Sequence, residues 1–179
     1  MTGEITPAYA AMSKQEWDQI HSLFPDLRLI FVMRDPVVRT WSALRNSMKK
    51  SRIDPSTSVD GLVEYAFKSS IAARSDYLRS IRMVESRFGA GQLHCCFFEQ
   101  LIAEPNVFAD SMFRFLGVNS LGEDLVVPAA VNSAAAGDQP PLALQRALAK
   151  EYLPMTEQLA DRFGGIPREW ATKYRKLLG

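Results

Sequence analysis

The chain has 179 residues, 47% of them hydrophobic and 23% charged, with a formal net charge of +1. These values describe one soluble globular domain over residues 1–179 with a sizeable core, and they lack the basic excess that nucleic-acid binding calls for. No charged-then-apolar leader and no run approaching the ~18 apolar residues of a membrane helix is visible, so the expected location is cytoplasmic, without a membrane partner.

Near the start, Thr6-Pro7 disfavours helix at Thr6 and predicts a loop. Ser13 and Glu16 have capping-box spacing, and Trp17, Ile20 and Phe24 share one face, which predicts a short helix over 14–23 ended by Phe24-Pro25-Asp26. Leu29 to Met33 form an unbroken apolar run, too short for an independent helix, that suits a central strand covered on both faces. Arg34 ends the run. Asp35 then stands at an N-cap and Pro36 at the first helical position, where no amide donor is lost. In the helix so predicted, Val37, Trp41, Leu44 and Met48 make one apolar stripe, with Ser42 and Arg45 on its more polar side. A strand thus runs into a helix N-terminus, with a guanidinium at the junction and a hydroxyl two turns along. Helix N-termini attract anions through free amides and the macrodipole, and a guanidinium grips phosphate by paired hydrogen bonds. Spacing alone leaves open that Arg34 merely pairs with an acidic neighbour and that Ser42 is a tolerated helix serine.

Lys49, Lys50 and Arg52 read as a solvated helix end, where cations favour the dipole. Helices are predicted over 59–71 and 75–88, the second with Tyr77, Ile81, Val84 and Phe88 in register and Gly89 as its stop. Residues 92–98 read as a second buried-type strand. Cys95 and Cys96, the only cysteines, lie adjacent within it and read as reduced core residues. Pro105 opens a helix with Phe108, Met112 and Phe115 inward, closed by Leu116-Gly117-Val118. The long loop over 119–141 is of a length that is usually functional or mobile. Residues 142–163 are helical by period, with Pro154 expected to bend or divide them, and Pro167 opens a last short helix containing Trp170. His21 and His94 read as structural, and no metal motif is present.

The stretch LRLIFVMRDPVVRTWSALR, residues 27–45, resembles the 3'-phosphate-binding segment of sulfotransferases that use 3'-phosphoadenosine 5'-phosphosulfate (PAPS). In that family a hydrophobic strand ends in Arg-Asp-Pro, an Arg follows three residues after the Pro, and a Ser three after that. Here those positions are Arg34, Asp35, Pro36, Arg39 and Ser42. The Gly3-Glu4-x-Thr6-Pro7-x-Tyr9 segment, Glu99-Gln100-Leu101 after the second strand, FRFLGV at 113–118 and a Trp near the end are similar to the family as well. The resemblance implies an α/β fold, a three-layer parallel sheet with flanking helices related to the P-loop NTPases. It implies PAPS as co-substrate without a metal, held at its 3'-phosphate by Arg34 and Ser42, and a small-molecule or carbohydrate acceptor. It also suggests Tyr77 and Asn132-Ser133 near the nucleotide. Glu99 reads as a structural carboxylate at a strand end, with a catalytic base left open.

The family opens with a strand and a Lys-x-Gly-Thr-Thr loop for the 5'-phosphosulfate, followed by a catalytic His or Glu. No such segment occurs in residues 1–179. The resemblance therefore spans about the C-terminal two-thirds of a typical member, no catalytic residue is assigned, and the expected sheet is incomplete, its missing strand lying between those at 28–33 and 93–98. Two functions follow: sulfo transfer from PAPS, or a truncated, non-catalytic nucleotide-binding or structural remnant. The coding DNA upstream of Met1 separates them, since an in-frame Lys-x-Gly-Thr-Thr segment favours the first and a stop codon the second.

Overall fold

A computed structural model of the protein describes residues 2–119 and 139–179. The contacts expected at Asn132-Ser133 lie outside the described residues. The elements in chain order are α1 (Lys14–Leu23), β1 (Leu29–Met33), α2 (Pro36–Lys49), α3 (Val59–Lys68), α4 (Ser70–Ala73), α5 (Tyr77–Glu85), β2 (Leu93–Phe97), α6 (Phe98–Ala103), α7 (Pro105–Leu116), α8 (Leu142–Phe163) and α9 (Gly165–Leu178), with a 3-10 turn at Pro7–Ala11.

Local signals set most boundaries. The Ser13–Glu16 capping box forms at both ends, Glu16 accepting the Ser13 amide at 2.6 Å and Ser13 the Glu16 amide at 3.3 Å, and α1 spans the expected 14–23. Gly117 closes α7 in the left-handed region, at φ 71°, a conformation that costs glycine no Cβ clash. Three helix boundaries are corrected. The helix expected over 59–71 divides at Ser69, whose extended backbone and side-chain bond to the Ile71 amide at 3.3 Å start a new turn; serine competes with helix interiors in this way. The helix expected over 75–88 is trimmed to Tyr77–Glu85, because Asp76 accepts the Arg79 amide and caps it later than the apolar pattern suggested. The last helix is 14 residues long rather than short: Pro167 falls in its first turn, where proline is tolerated, and Trp170, Ala171 and Tyr174 bury one face. Pro154 does not divide α8, which runs unbroken through it.

The two strands pair directly and in parallel, with Leu29 opposite Leu93, Phe31 opposite Cys95 and Met33 opposite Phe97. The expected gap for a middle strand is therefore absent, because every residue of β1 has its partner on β2. Side chains alternate across a strand, and the two faces have different covers. Met33 and Phe97 belong to the main core with Leu44, Ile81, Leu148, Leu159 and Tyr174. On the other face His94 stacks on Phe115 of α7 at 5.2 Å and meets Ser111 at 3.3 Å. Helices on both faces give the α/β layering expected, around a sheet of two strands among the described residues. β1 is not covered throughout, however: Val32 is 44% exposed, so the unbroken apolar run overstated its burial.

The junction after β1 is fixed from the far end of the chain. Asp35 is 5% exposed, and its Oδ1 accepts the amides of Val37 at 2.9 Å and Val38 at 3.2 Å and the Tyr174 hydroxyl at 2.6 Å. Lys173 pairs with Oδ2 at 2.8 Å. Replacing Asp35 by Ala removes the cap and leaves the buried Tyr174 hydroxyl without its acceptor, so urea denaturation should show a loss of about 2 to 4 kcal/mol.

Candidate functional site

A cleft of about 630 Å³ opens beside the junction of β1 and α2. Phe31 and Val32, from opposite faces of β1, both line it, so it lies along the strand's open edge. The α2 flank contributes Arg39, Ser42, Arg45 and Lys49, which recur every three or four residues as one helix face must. Arg34 comes from the strand end, Arg74 from the C-cap of α4, and Pro7 and Ala10 from the N-terminal turn. Among the described lining residues five side chains are basic and none is a carboxylate. A concave surface of one charge sign concentrates field and anions.

Arg34 and Ser42, singled out from the sequence, thus share one cleft. Arg34 lays its guanidinium over the Phe98 ring at 4.9 Å, a cation–π contact that orients it. Its backbone is clamped by Tyr77, whose buried hydroxyl donates to the Arg34 carbonyl at 2.7 Å, while the ring meets Phe31 edge-on at 5.7 Å. Burial pushes the Tyr77 hydroxyl well above its usual range, so it stays a neutral donor.

The N-terminus of α2 is not the free anion site expected from the sequence. Asp35 already accepts the Val37 and Val38 amides, and its carbonyl accepts the Arg39 amide at 2.9 Å. The anion-attracting groups are instead side chains along the α2 flank. Arg39 is anchored rather than loose: one terminal nitrogen donates to the Ile71 carbonyl at 2.6 Å and to Ser75 Oγ at 3.0 Å. Sequence reading gave Lys49 no role and did not single out Arg74. Arg74 has no local signal linking it to Arg39, because the two are 35 positions apart and only the α2–α4 packing joins them.

Glu99 reads in the structure as a tie, not a reactive group facing the cleft. Its Oε1 accepts the Asp35 amide and Trp170 Nε1, both at 3.1 Å, while Oε2 is buried without a partner among the described residues. Burial raises its pKa, and the Asp35 charge adds to the rise. His21 packs edge-on against Phe88 at 4.9 Å, and neither it nor His94 lines the cleft. Burial pushes the thiols of Cys95 and Cys96 up to about 11 and about 12. No group of metal-ligating side chains occurs among the described residues, and none of their helices is long and apolar enough to cross a membrane. A larger open groove of about 800 Å³ follows one face of α9 past Gly165, Thr172 and Lys176, and holds none of the residues singled out from the sequence.

The structure is similar to the crystal structure of a sulfotransferase from Alicyclobacillus acidocaldarius, with a TM-score of 0.69 and 18% sequence identity, over 90% of this chain and 64% of that one. The chain thus spans less than two-thirds of that relative's length. No curated protein sequence matches it. Residues 10–121 match the model of the Sulfotransferase family, and the chain belongs to that family.

The raised pKa of Glu99 has a measurable consequence. A carboxyl that holds its proton more tightly folded than unfolded contributes stability at low pH, and that contribution is lost as pH rises from its ordinary value of 4.5 through the folded value. Stability of wild type minus that of Glu99→Gln, from urea titrations, should therefore fall across that window and level off above it. A difference that is flat or rises would remove the assignment.

Proposed function

We propose that the protein is a PAPS-dependent sulfotransferase and that its cleft holds the 3'-phosphate of the nucleotide between Arg34 and Ser42. The observation that carries this reading is the cleft's lining: among the described residues it has five basic side chains and no carboxylate, in a chain whose net charge is only +1. The Arg34 guanidinium, braced on Phe98, has no hydrogen-bond or ion-pair partner among the described residues. A planar guanidinium and a hydroxyl suit a tetrahedral oxyanion, the first by paired charge-assisted bonds and the second by a directional one.

In the transfer itself, the acceptor oxygen or nitrogen attacks sulfur while the bond from sulfur to the bridging phosphate oxygen breaks. The acceptor's proton leaves to a base, and adenosine 3',5'-bisphosphate departs. Fixing the nucleotide by its 3'-phosphate contributes positioning, because a held leaving group reacts from one geometry. This chain's residues supply that anchor: Tyr77 and Asp35 hold the backbone on either side of Arg34, and α2 carries Ser42. The acceptor is a small molecule or a carbohydrate.

A second reading, nucleotide binding without catalysis, is favoured by one specific observation. Among the described residues no histidine or carboxylate lines the cleft to act as the base, and proton transfer needs such a group within hydrogen-bond reach. Release of labelled sulfo product from PAPS by the protein supports the first reading; binding without turnover supports the second.

Calorimetry with adenosine 3',5'-bisphosphate tests the anchor common to both. Arg34→Ala should cost about 1.5 to 3 kcal/mol, roughly 10- to 150-fold in Kd, and Ser42→Ala about 0.5 to 1.5 kcal/mol. Equal affinities for wild type and Arg34→Ala would overturn the assignment.

A further inference from the structure

The cleft holds more positive charge than one phosphate accounts for. Arg34 and Ser42 suffice for a single tetrahedral oxyanion, which leaves Arg39, Arg74 and the more peripheral cations of the α2 flank. Arg74 is the most telling. Its Nε is buried without a hydrogen-bond partner, and its guanidinium makes no hydrogen bond or ion pair among the described residues. A buried guanidinium nitrogen with no acceptor is costly, and the rest of the group lines the cleft, where a bound anion would supply one.

Arg39 faces the same space and is held rigidly. One nitrogen is fixed by the Ile71 carbonyl and Ser75 Oγ. Ser75 is itself fully buried and braced by Thr40 at 3.3 Å, which meets the Tyr152 hydroxyl at 2.8 Å. Ser75 follows Arg74 directly, so the buried hydroxyl chain that holds Arg39 lies next to Arg74 along the chain. Burial depresses the Arg39 pKa, the Tyr77 and Tyr152 hydroxyls offset part of that, and the neighbouring Arg74 charge depresses it further. Two like charges built into one wall on a rigid support form a receptor for an anion.

We propose that Arg39 and Arg74 form a second oxyanion subsite, separate from the Arg34–Ser42 position, that takes a carboxylate or sulfate group carried by the acceptor. The protein would then prefer acidic acceptors over neutral ones. This rests on the nucleotide reading above, which assigns the other anion position. The competing source of a second anion is the nucleotide's own 5'-phosphate, and the experiment separates the two.

Inorganic sulfate is the first probe, titrated calorimetrically into protein saturated with adenosine 3',5'-bisphosphate. Wild type should still bind one sulfate. Arg74→Gln should weaken that sulfate at least tenfold while keeping nucleotide affinity within twofold, and Arg74→Lys should recover part of the loss. 4-Nitrophenyl glucuronide should displace the sulfate, and the neutral 4-nitrophenyl glucoside should not. Circular dichroism checks that the variants fold. The inference is overturned if nucleotide saturation abolishes sulfate binding, if Arg74→Gln weakens the nucleotide as much as Arg34→Ala does, or if the two glycosides behave alike. The underlying nucleotide reading fails by a different result, an Arg34→Ala variant with unchanged nucleotide affinity.

Discussion

One buried carboxylate sets the geometry on which the site depends. Asp35 sits where β1 becomes α2 and accepts four donors: two helix amides, the Tyr174 hydroxyl and the Lys173 ammonium. Its own amide donates to Glu99, which in turn holds Trp170. The end of β1, the start of α6 and the face of α9 are thereby tied within a few ångströms. A carboxylate out of water is tolerated only where its lone pairs are filled, so the packing of the C-terminal helix and the direction of α2 are consequences of the same requirement.

That arrangement also decides where an anion can be held. By consuming the first amides of α2, Asp35 removes the donors that make helix ends attractive to phosphate, and places a negative charge there. The cationic surface is displaced along the helix flank, from Arg34 past Ser42 to Lys49, with about 15 Å of helix between Arg39 and Lys49. A flank of that length suits an extended ligand with more than one charged group. The polar support beneath it, from Arg39 through Ser75 and Thr40 to Tyr152, crosses from α2 to α8. It couples the cleft wall to the most buried part of the core.

Much of this was legible locally. Strand, Arg-Asp-Pro junction and α2 are written in consecutive residues, and so are the Ser13–Glu16 box and the Gly117 stop, because each depends on backbone groups a few positions away. Arg34 and Ser42 were found by spacing and resemblance and do share a cleft. What was not legible depends on contacts between distant segments. Arg74 reaches Arg39 only through helix packing, and the Tyr174–Asp35 bond spans 139 positions. The direct pairing of β1 with β2 also escaped, since an apolar run reports burial and not the identity of a neighbouring strand. Ser69 divided a helix because a local side-chain bond competes with a periodic pattern that says nothing about it.

The account turns on one convergence, that a guanidinium at the end of β1 and a hydroxyl on α2 grip the same oxyanion. A crystal structure of the protein with adenosine 3',5'-bisphosphate measures it directly. The 3'-phosphate oxygens should lie within about 3 Å of both the Arg34 guanidinium and Ser42 Oγ. A nucleotide bound with its 3'-phosphate on the α9 groove, or touching only one of the two residues, would contradict it.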